Sequence, residues 1–320
     1  MLGSFGCSVG GGGQGSSGNF PQRDITWIVP FSAGGGTDVY ARQMAPLMGE
    51  ELGVNIEVRN EPGAGSLLGI REAANSQPDG YTITNFNPPS STITQLAEGG
   101  EAGVDLRELT YLGQMGSTSY VAFAQPGFGG DDLQSTIDLY NSGEASVLAG
   151  QARGGPVELL AELMKTQYDW GWQEYVGYDG GGDVTAAVLR GEVPVGIATD
   201  TAVLSNVEAG DLKIVGVIQS TGSPLFPDVQ TATEQDFPNL DYVASLTRVV
   251  AAPPDLPSEI QQTLEQALRA AVTSEASQQW SQETGNPVEW AGAQTAQETT
   301  TESFRVEEEV PNLQEIISGG

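Results

Sequence analysis

The sequence predicts an α/β fold with mainly parallel sheets, divided between two lobes. Three observations predict it. Short apolar runs of strand character alternate with stretches whose apolar residues recur at helical spacing. The junctions from strand to helix are rich in Gly, Ser and Thr, as tight βα turns are. The chain has 320 residues, and at ~150 residues per domain that length suits two units.

Each element follows from local pattern. Asp24–Phe31 (DITWIVPF) reads as the first strand. From Asp38 onward, Tyr40, Met44, Leu47, Met48 and Leu52 fall on one face of a helix. Asn55–Arg59 is a short strand, Ser66 caps a helix that runs to about Asn75, and Pro78-Asp79-Gly80 turns the chain into the strand Tyr81–Phe86. The second half repeats the alternation. Ala145–Ala149, Gln173–Gly177, Val193–Ala198 and Leu212–Ile218 read as strands. Pro156–Thr166 is a helix with proline at its first position, and Asp183–Arg190 is another. Pro253–Pro257 looks like a hinge, and Ser258–Ser274 is amphipathic through Ile260, Leu264, Ala267, Leu268 and Ala271. The polar tail Gln294–Ile317 reads as helical in part. Chain crossings between lobes are expected near Val121–Gln125 and Pro224–Thr233, giving lobe 1 as residues 24–122 plus 230–320 and lobe 2 as residues 123–229.

Composition narrows the function. With glycine counted and tyrosine removed, the apolar share is about 49%, within the usual globular range, so the chain can bury a core. Its 42 Asp and Glu against 12 Lys and Arg give a formal charge of −30. Such a chain is repelled by phosphate backbones and by anionic lipid, which argues against nucleic-acid binding and surface attraction to membranes. It contains no His, so Ser/His/Asp and Cys/His catalysis and His-ligated metals are excluded. The single Cys permits neither an internal disulfide nor a CxxC zinc site. Net charge of this size strains a compact state at low salt and is screened at about 1 M, where the Debye length is near 3 Å. Few Lys and many Asp and Glu point to life in high salt; the alternative is an acidic protein of ordinary habitat.

No run of 18 apolar residues offers a transmembrane helix. Small residues precede Cys7, and a Gly/Ser stretch to Gly18 follows it as a flexible tether spanning residues 1–23. That arrangement resembles a lipoprotein lipobox without its hydrophobic signal. Cys7 is therefore the expected lipid attachment point, holding the protein at the outer cell surface. A disordered tail with an incidental Cys is the alternative.

The chemistry is expected at the strand-to-helix junctions. The sharpest is Ser32-Ala33-Gly34-Gly35-Gly36-Thr37-Asp38, where glycines let a ligand approach the backbone and the next helix presents unpaired N–H groups to an anion. It could also be a simple turn capped by Thr37 or Asp38. The stretch fits neither GxGxxG nor a P-loop, and no cofactor is expected. Asn60–Ser66 reads better as a turn. Asn87, Ser90 and Ser91 follow the strand ending at Phe86. Arg153, Gly154 and Gly155 form a fourth junction, in which the guanidinium fork suits a carboxylate or a surface salt bridge. Tyr178, Gly180 and Gly181 form a fifth, and Thr199, Asp200 and Thr201 a sixth. Asp179 with Asp183 admits a weak reading as a calcium site or acid/base pair. In open α/β sheets ligands sit beyond the carboxyl ends of the strands, so six such loops suggest one shared cleft.

Several blocks of this sequence resemble the tripartite tricarboxylate transporter receptors, the TctC or Bug family. They are Val29-Pro-Phe-Ser-Ala-Gly-Gly-Gly-Thr-Asp-Val-Tyr-Ala-Arg42, Pro62-Gly-Ala-Gly65, Pro78-Asp-Gly-Tyr-Thr82, Tyr178-Asp-Gly-Gly-Gly182, Gly191-Glu-Val193, Ala209-Gly-Asp-Leu212 and Phe226-Pro-Asp-Val229. The resemblance spans about residues 24–290 and implies a two-lobed, type II periplasmic-binding-protein-like (Venus-flytrap) receptor, extracytoplasmic, that passes a small di- or tricarboxylate to membrane permease subunits. It also implies one jaw at Ser32–Asp38 with Asn87–Ser91, and a second at Ala152–Gly155, Tyr178–Gly182 and Thr199–Thr201. One departure stands out: Ala152-Arg-Gly-Gly155 with Glu158 replaces a Gly-x-Gly-Ser/Thr pattern followed by His, so the resemblance implies Arg153 in place of a hydroxyl contact. Two other readings stay open. One is an orphan receptor that feeds a sensor. The other is a His-free hydrolase using Asp179, Asp183 and Asp200.

Overall fold

The structure is a computed structural model. It describes residues 20–310 apart from 152, 154 and 239, together with residue 313. Cys7 and the tether to residue 19, and Ala152 and Gly154 of the fourth junction, lie outside the described residues; Phe20, placed in the tether by the sequence, packs on the first core instead.

Alternation of strand and helix is what the sequence pattern demanded, and it is observed. In the first half, β1 (Ile25–Val29), α1 (Gly36–Leu52), β2 (Ile56–Asn60), α2 (Leu67–Ala74), β3 (Thr82–Phe86) and α3 (Ser90–Glu98) follow one another. A long strand, β4 (Thr110–Ala124), leads into α4 (Leu133–Asn141), β5 (Val147–Gln151), α5 (Pro156–Gln167), β6 (Glu174–Tyr178), α6 (Gly181–Leu189), β7 (Val195–Thr199), α7 (Asp200–Glu208) and β8 (Lys213–Val217). The chain closes with β9 (Ser245–Ala252), α8 (Ser258–Thr273), α9 (Glu275–Thr284) and α10 (Ala293–Glu308).

The strands pair in the order β2-β1-β3-β9-β4-β7-β5-β6, with β8 also on β4. The strands inside βα units run parallel: β1 with β2 and β3, and β5 with β6 and β7. The connecting strands run antiparallel to their neighbours, β9 against β3 and β4, and β4 against β7 and β8. β4 pairs with β9 from Thr110 to Ser119 and with β7 from Tyr120 to Ala124. A single strand therefore belongs to both halves, and it changes partners at Ser119–Tyr120.

Each half has its own layered core. In the first, α1 and α8 cover one sheet face with Tyr40, Met44, Met48, Leu264 and Leu268, while Leu67, Ile70, Phe86 and Phe304 fill the other. In the second, α4 and α5 cover one face through Leu133, Ile137, Leu160 and Met164, and α6 and α7 the other through Val184, Val188 and Val203. Burying each of these large apolar side chains stabilises the fold by about 1.5–3 kcal/mol.

Three readings are corrected. Pro253–Pro257, expected as a hinge, joins β9 to α8 within the first half, and Pro257 precedes the first turn of α8. The return crossing lies later than Pro224–Thr233. Residues 231–244 first pack with the second half, where Ala232 donates to the Val217 carbonyl and Phe237, Leu240 and Val243 enter its core. Finally, neither Thr37 nor Asp38 caps α1. The helix starts at Gly36 after Gly35, with no side-chain cap bond.

Candidate functional site

Strand direction decides where the glycine-rich loops go. β1, β2 and β3 run the same way as β4, so their carboxyl ends point along β4 toward the second half. β5, β6 and β7 run against β4, so their carboxyl ends point back toward the first half. Both sets of loops face each other across the shared strand, which is where α/β sheets place their ligands.

The first rim is a hydrogen-bonded assembly. Ser32, Ala33, Gly34 and Gly36 are exposed, and Thr37 and Asp38 are buried. Asn87 Nδ2 donates to Thr37 Oγ1 at 2.7 Å. Ser91 Oγ accepts from the Asn87 N–H at 3.2 Å and lies 3.0 Å from Ser66 Oγ. Ser66 itself holds a left-handed backbone at φ 89°, a conformation that costs a non-glycine residue about 1–3 kcal/mol and concentrates at functional sites. Ser90 begins α3 half-buried.

The Asp38 carboxylate braces the turn. It accepts from the Gly34 N–H at 2.8 Å, from Arg42 Nε at 2.9 Å and from Asn60 Nδ2 at 2.8 Å. Burial alone would raise its pKa, but the hydrogen bonds from Arg42, Gly34 and Asn60 outweigh burial and hold it below the usual carboxylate value. The residue fixes the turn that aims the free N–H groups of α1.

The second rim is less connected. Arg153 Nη2 donates to the Tyr175 carbonyl at 2.7 Å, and its Nη1 lies 3.7 Å from Glu158, so the fork is already engaged within its own half. Gly155 and Gly180 precede α5 and α6 with extended backbones. Gly181 lies against α7: a Cβ there would stand 2.9 Å from Ala202 Cβ. Tyr178 ends β6 half-buried, and Thr201 Oγ1 lies 3.2 Å from Thr199 Oγ1. Gln151, just before the loop, keeps a buried Oε1 without a hydrogen-bond partner.

Asp200 is fully buried and accepts from Ser223 Oγ at 2.7 Å and from the Thr201 N–H at 2.7 Å. Burial pushes its carboxyl up; bonds from Ser223, Thr201 and the Ser119 N–H, with the charge of Arg248, offset part of that. Its bond to Ser119 ties α7 to β4 where that strand changes partners.

One residue that the sequence reading passed over is Arg248 on β9. It is 3% exposed, and its guanidinium stacks 4.0 Å over the Tyr40 ring of α1. Nη1 donates to Thr118 Oγ1 at 3.1 Å and to the Leu246 carbonyl at 3.2 Å, while Nε has no hydrogen-bond partner. The signal was a lone charge inside the otherwise uncharged strand SLTRVVAA. Burial raises the Tyr40 hydroxyl pKa to about 12, against the opposing pull of Arg248.

Among the described residues no cluster of three or more His, Cys, Asp or Glu could hold a metal ion, and no helix is long and apolar enough to cross a membrane. Two cavities of about 250 and 570 Å³ flank β4 near Ser117 and Gln219. Neither is lined by residues 32–38, 87–91, 153–155, 178–181 or 199–201.

Comparison with known proteins agrees with this architecture. The model of the tripartite tricarboxylate transporter family receptor matches residues 40–314. The protein BugT of Bordetella pertussis is 30% identical over 279 residues, covering 86% of this chain and 84% of BugT. Among solved structures, a TctC solute-binding protein from Polaromonas superposes with a TM-score of 0.80 at 20% identity, covering 94% of this chain and 99% of that one. MatC from Rhodopseudomonas palustris with bound malate gives a TM-score of 0.61 at 23% identity, covering 93% and 100%.

Proposed function

Since the chain belongs to the tripartite tricarboxylate transporter receptor family, which makes it a solute receptor, we propose that its ligand is a small organic carboxylate bound between the two halves. The observation that carries the reading is the opposition of the two sets of carboxyl-end loops across β4. One ligand carboxylate sits at Ser32–Thr37, where the N–H groups opening α1 and the positive end of its dipole supply what an anion needs. Asn87, Ser90 and Ser91 support that rim. Gly155, Tyr178, Gly180, Gly181, Thr199 and Thr201 close over the ligand from the other side. The bound malate of MatC supports the ligand class.

The halves are the lobes of the receptor, and closure about β4 and β9 is the signal that a membrane permease reads. The protein works outside the cytoplasm; Cys7 carries a lipid and the Gly/Ser segment is its leash. The acidity adapts the surface to high salt.

Isothermal titration calorimetry in 2 M KCl against malate, succinate, adipate and citrate tests the ligand class. Saturable binding of at least one acid is the expected result. Silence across a panel broadened to aromatic acids overturns it.

A further inference from the structure

We propose that Arg248 is the specificity-determining residue of the crevice: it pairs with one carboxylate of a dicarboxylate whose other carboxylate lies at the start of α1. The inference rests on the receptor reading above and adds the group that distinguishes dianions from monoanions.

A guanidinium stays protonated, and burying it without a counter-charge is among the costliest arrangements in a protein. Seven other arginines of this chain lie within ion-pair distance of a carboxylate. Arg248 is the buried exception: among the described residues no Asp or Glu stands within that distance of it. Asp200 is near enough to influence it electrostatically, but accepts from Ser223 and the Thr201 backbone instead.

The position is that of a ligand contact. Phe86 of β3 pairs with Val249 of β9, and the Thr247 N–H donates to the Pro88 carbonyl, so the same register sets Asn87 beside Arg248. Cross-strand neighbours share a sheet face. Asn87 Oδ1 is also buried without a partner, while its Nδ2 holds Thr37 of the glycine-rich loop. Arg248 Nε and Asn87 Oδ1, each buried without a partner, thus lie on neighbouring strands where β3 ends toward the second half. Arg248 lies over Tyr40, which stands about one helical turn beyond Gly36 at the start of α1. Two anion-attracting sites about one helical turn apart suit a short dicarboxylate.

The test compares succinate with butyrate, which share a four-carbon chain and differ by one carboxylate, by calorimetry in 2 M KCl on the full chain. In wild type, succinate binds more tightly. Arg248→Gln weakens succinate by about 30-fold, as loss of a charge-assisted pair would, and leaves butyrate within about threefold. Arg248→Lys, which keeps the charge without the fork, reduces the preference less and decides the matter should the Gln variant fail to fold. An unchanged succinate preference in a folded variant, or equal weakening of both acids, overturns the proposal while leaving the receptor reading intact. A wild type that binds no carboxylate overturns both.

Discussion

Glu307 of α10 offers a sharp test of the electrostatics of this core. Its side chain is fully buried, Oε1 lies 2.7 Å from Thr92 Oγ1, and Oε2 has no partner. Thr92 Oγ1 also lies 2.7 Å from the Pro89 carbonyl, which can only accept. A hydroxyl has one proton to give. If Thr92 gives it to Pro89, the carboxyl must be the donor to Thr92, and Glu307 is then neutral in the fold. Burial raises its pKa well above 4.5 and outweighs the bond that Thr92 would donate to the ionised form. The unfolded chain releases this proton near pH 4.5 and the folded chain keeps it. Stability from this group is therefore complete below that pH. It declines by about 1.4 kcal/mol per pH unit as pH rises toward the folded-state value, then levels off. Glu307→Gln removes the titration: an amide nitrogen in place of Oε1 donates to Thr92, and the other atom stays as unpaired as before. Urea denaturation in 2 M KCl at pH 5, 6, 7 and 8 measures it. The variant should gain on wild type by that slope, one proton's worth. Parallel pH profiles for the two proteins would show Glu307 already ionised in the fold and sink the argument.

Two further outcomes are expected. Gly116→Ala should destabilise the protein by about 1–3 kcal/mol, because Gly116 sits at φ 147° and a Cβ there would overlap the Pro287 carbonyl; an unchanged denaturation midpoint would refute the packing of residues 285–291 on β4. Lowering KCl from 2 M to 0.1 M should lower the thermal midpoint, because the Debye length lengthens to about 10 Å and the −30 charge repels itself; a midpoint that holds or rises removes the high-salt reading.

Local pattern was a good guide wherever an element was self-contained. The strands at Ile25–Val29, Ile56–Asn60 and Thr82–Phe86 and the helix Ser258–Thr273 lie within two residues of expectation, because alternation or helical spacing inside one segment specifies them. β4 and β9 escaped that reading. β4 carries Gly113, Gly116 and Ser117-Thr-Ser119, with register shifts between Tyr111 and Gly113 and between Gln114 and Ser117. Its glycines answer to a distant segment: a Cβ at Gly113 would stand 2.5 Å from the Trp290 ring. Nothing within the strand announces that need. Helices α3, α4, α7 and α9 were likewise unannounced; α4 depends on the Asp132–Ser135 capping box, a short signal in an acidic chain.

The sequence by itself determined the α/β class, the lack of His and of any Cys pair, and the glycine-rich turns that open the helices. These follow from composition and from periodicities of two and 3.6 residues, which each segment carries alone. Only the tertiary structure decided which loops face one another. That depends on β4 running through both halves in one direction, so that parallel strands on either side end facing each other. It alone also separated the brace from the binding candidate. Asp38 and Arg248 are each one charged residue among uncharged neighbours, yet Asp38 is met by three donors and Arg248 by no carboxylate. Whether a charge is paired depends on groups brought close by folding from far along the chain, and no local pattern encodes that.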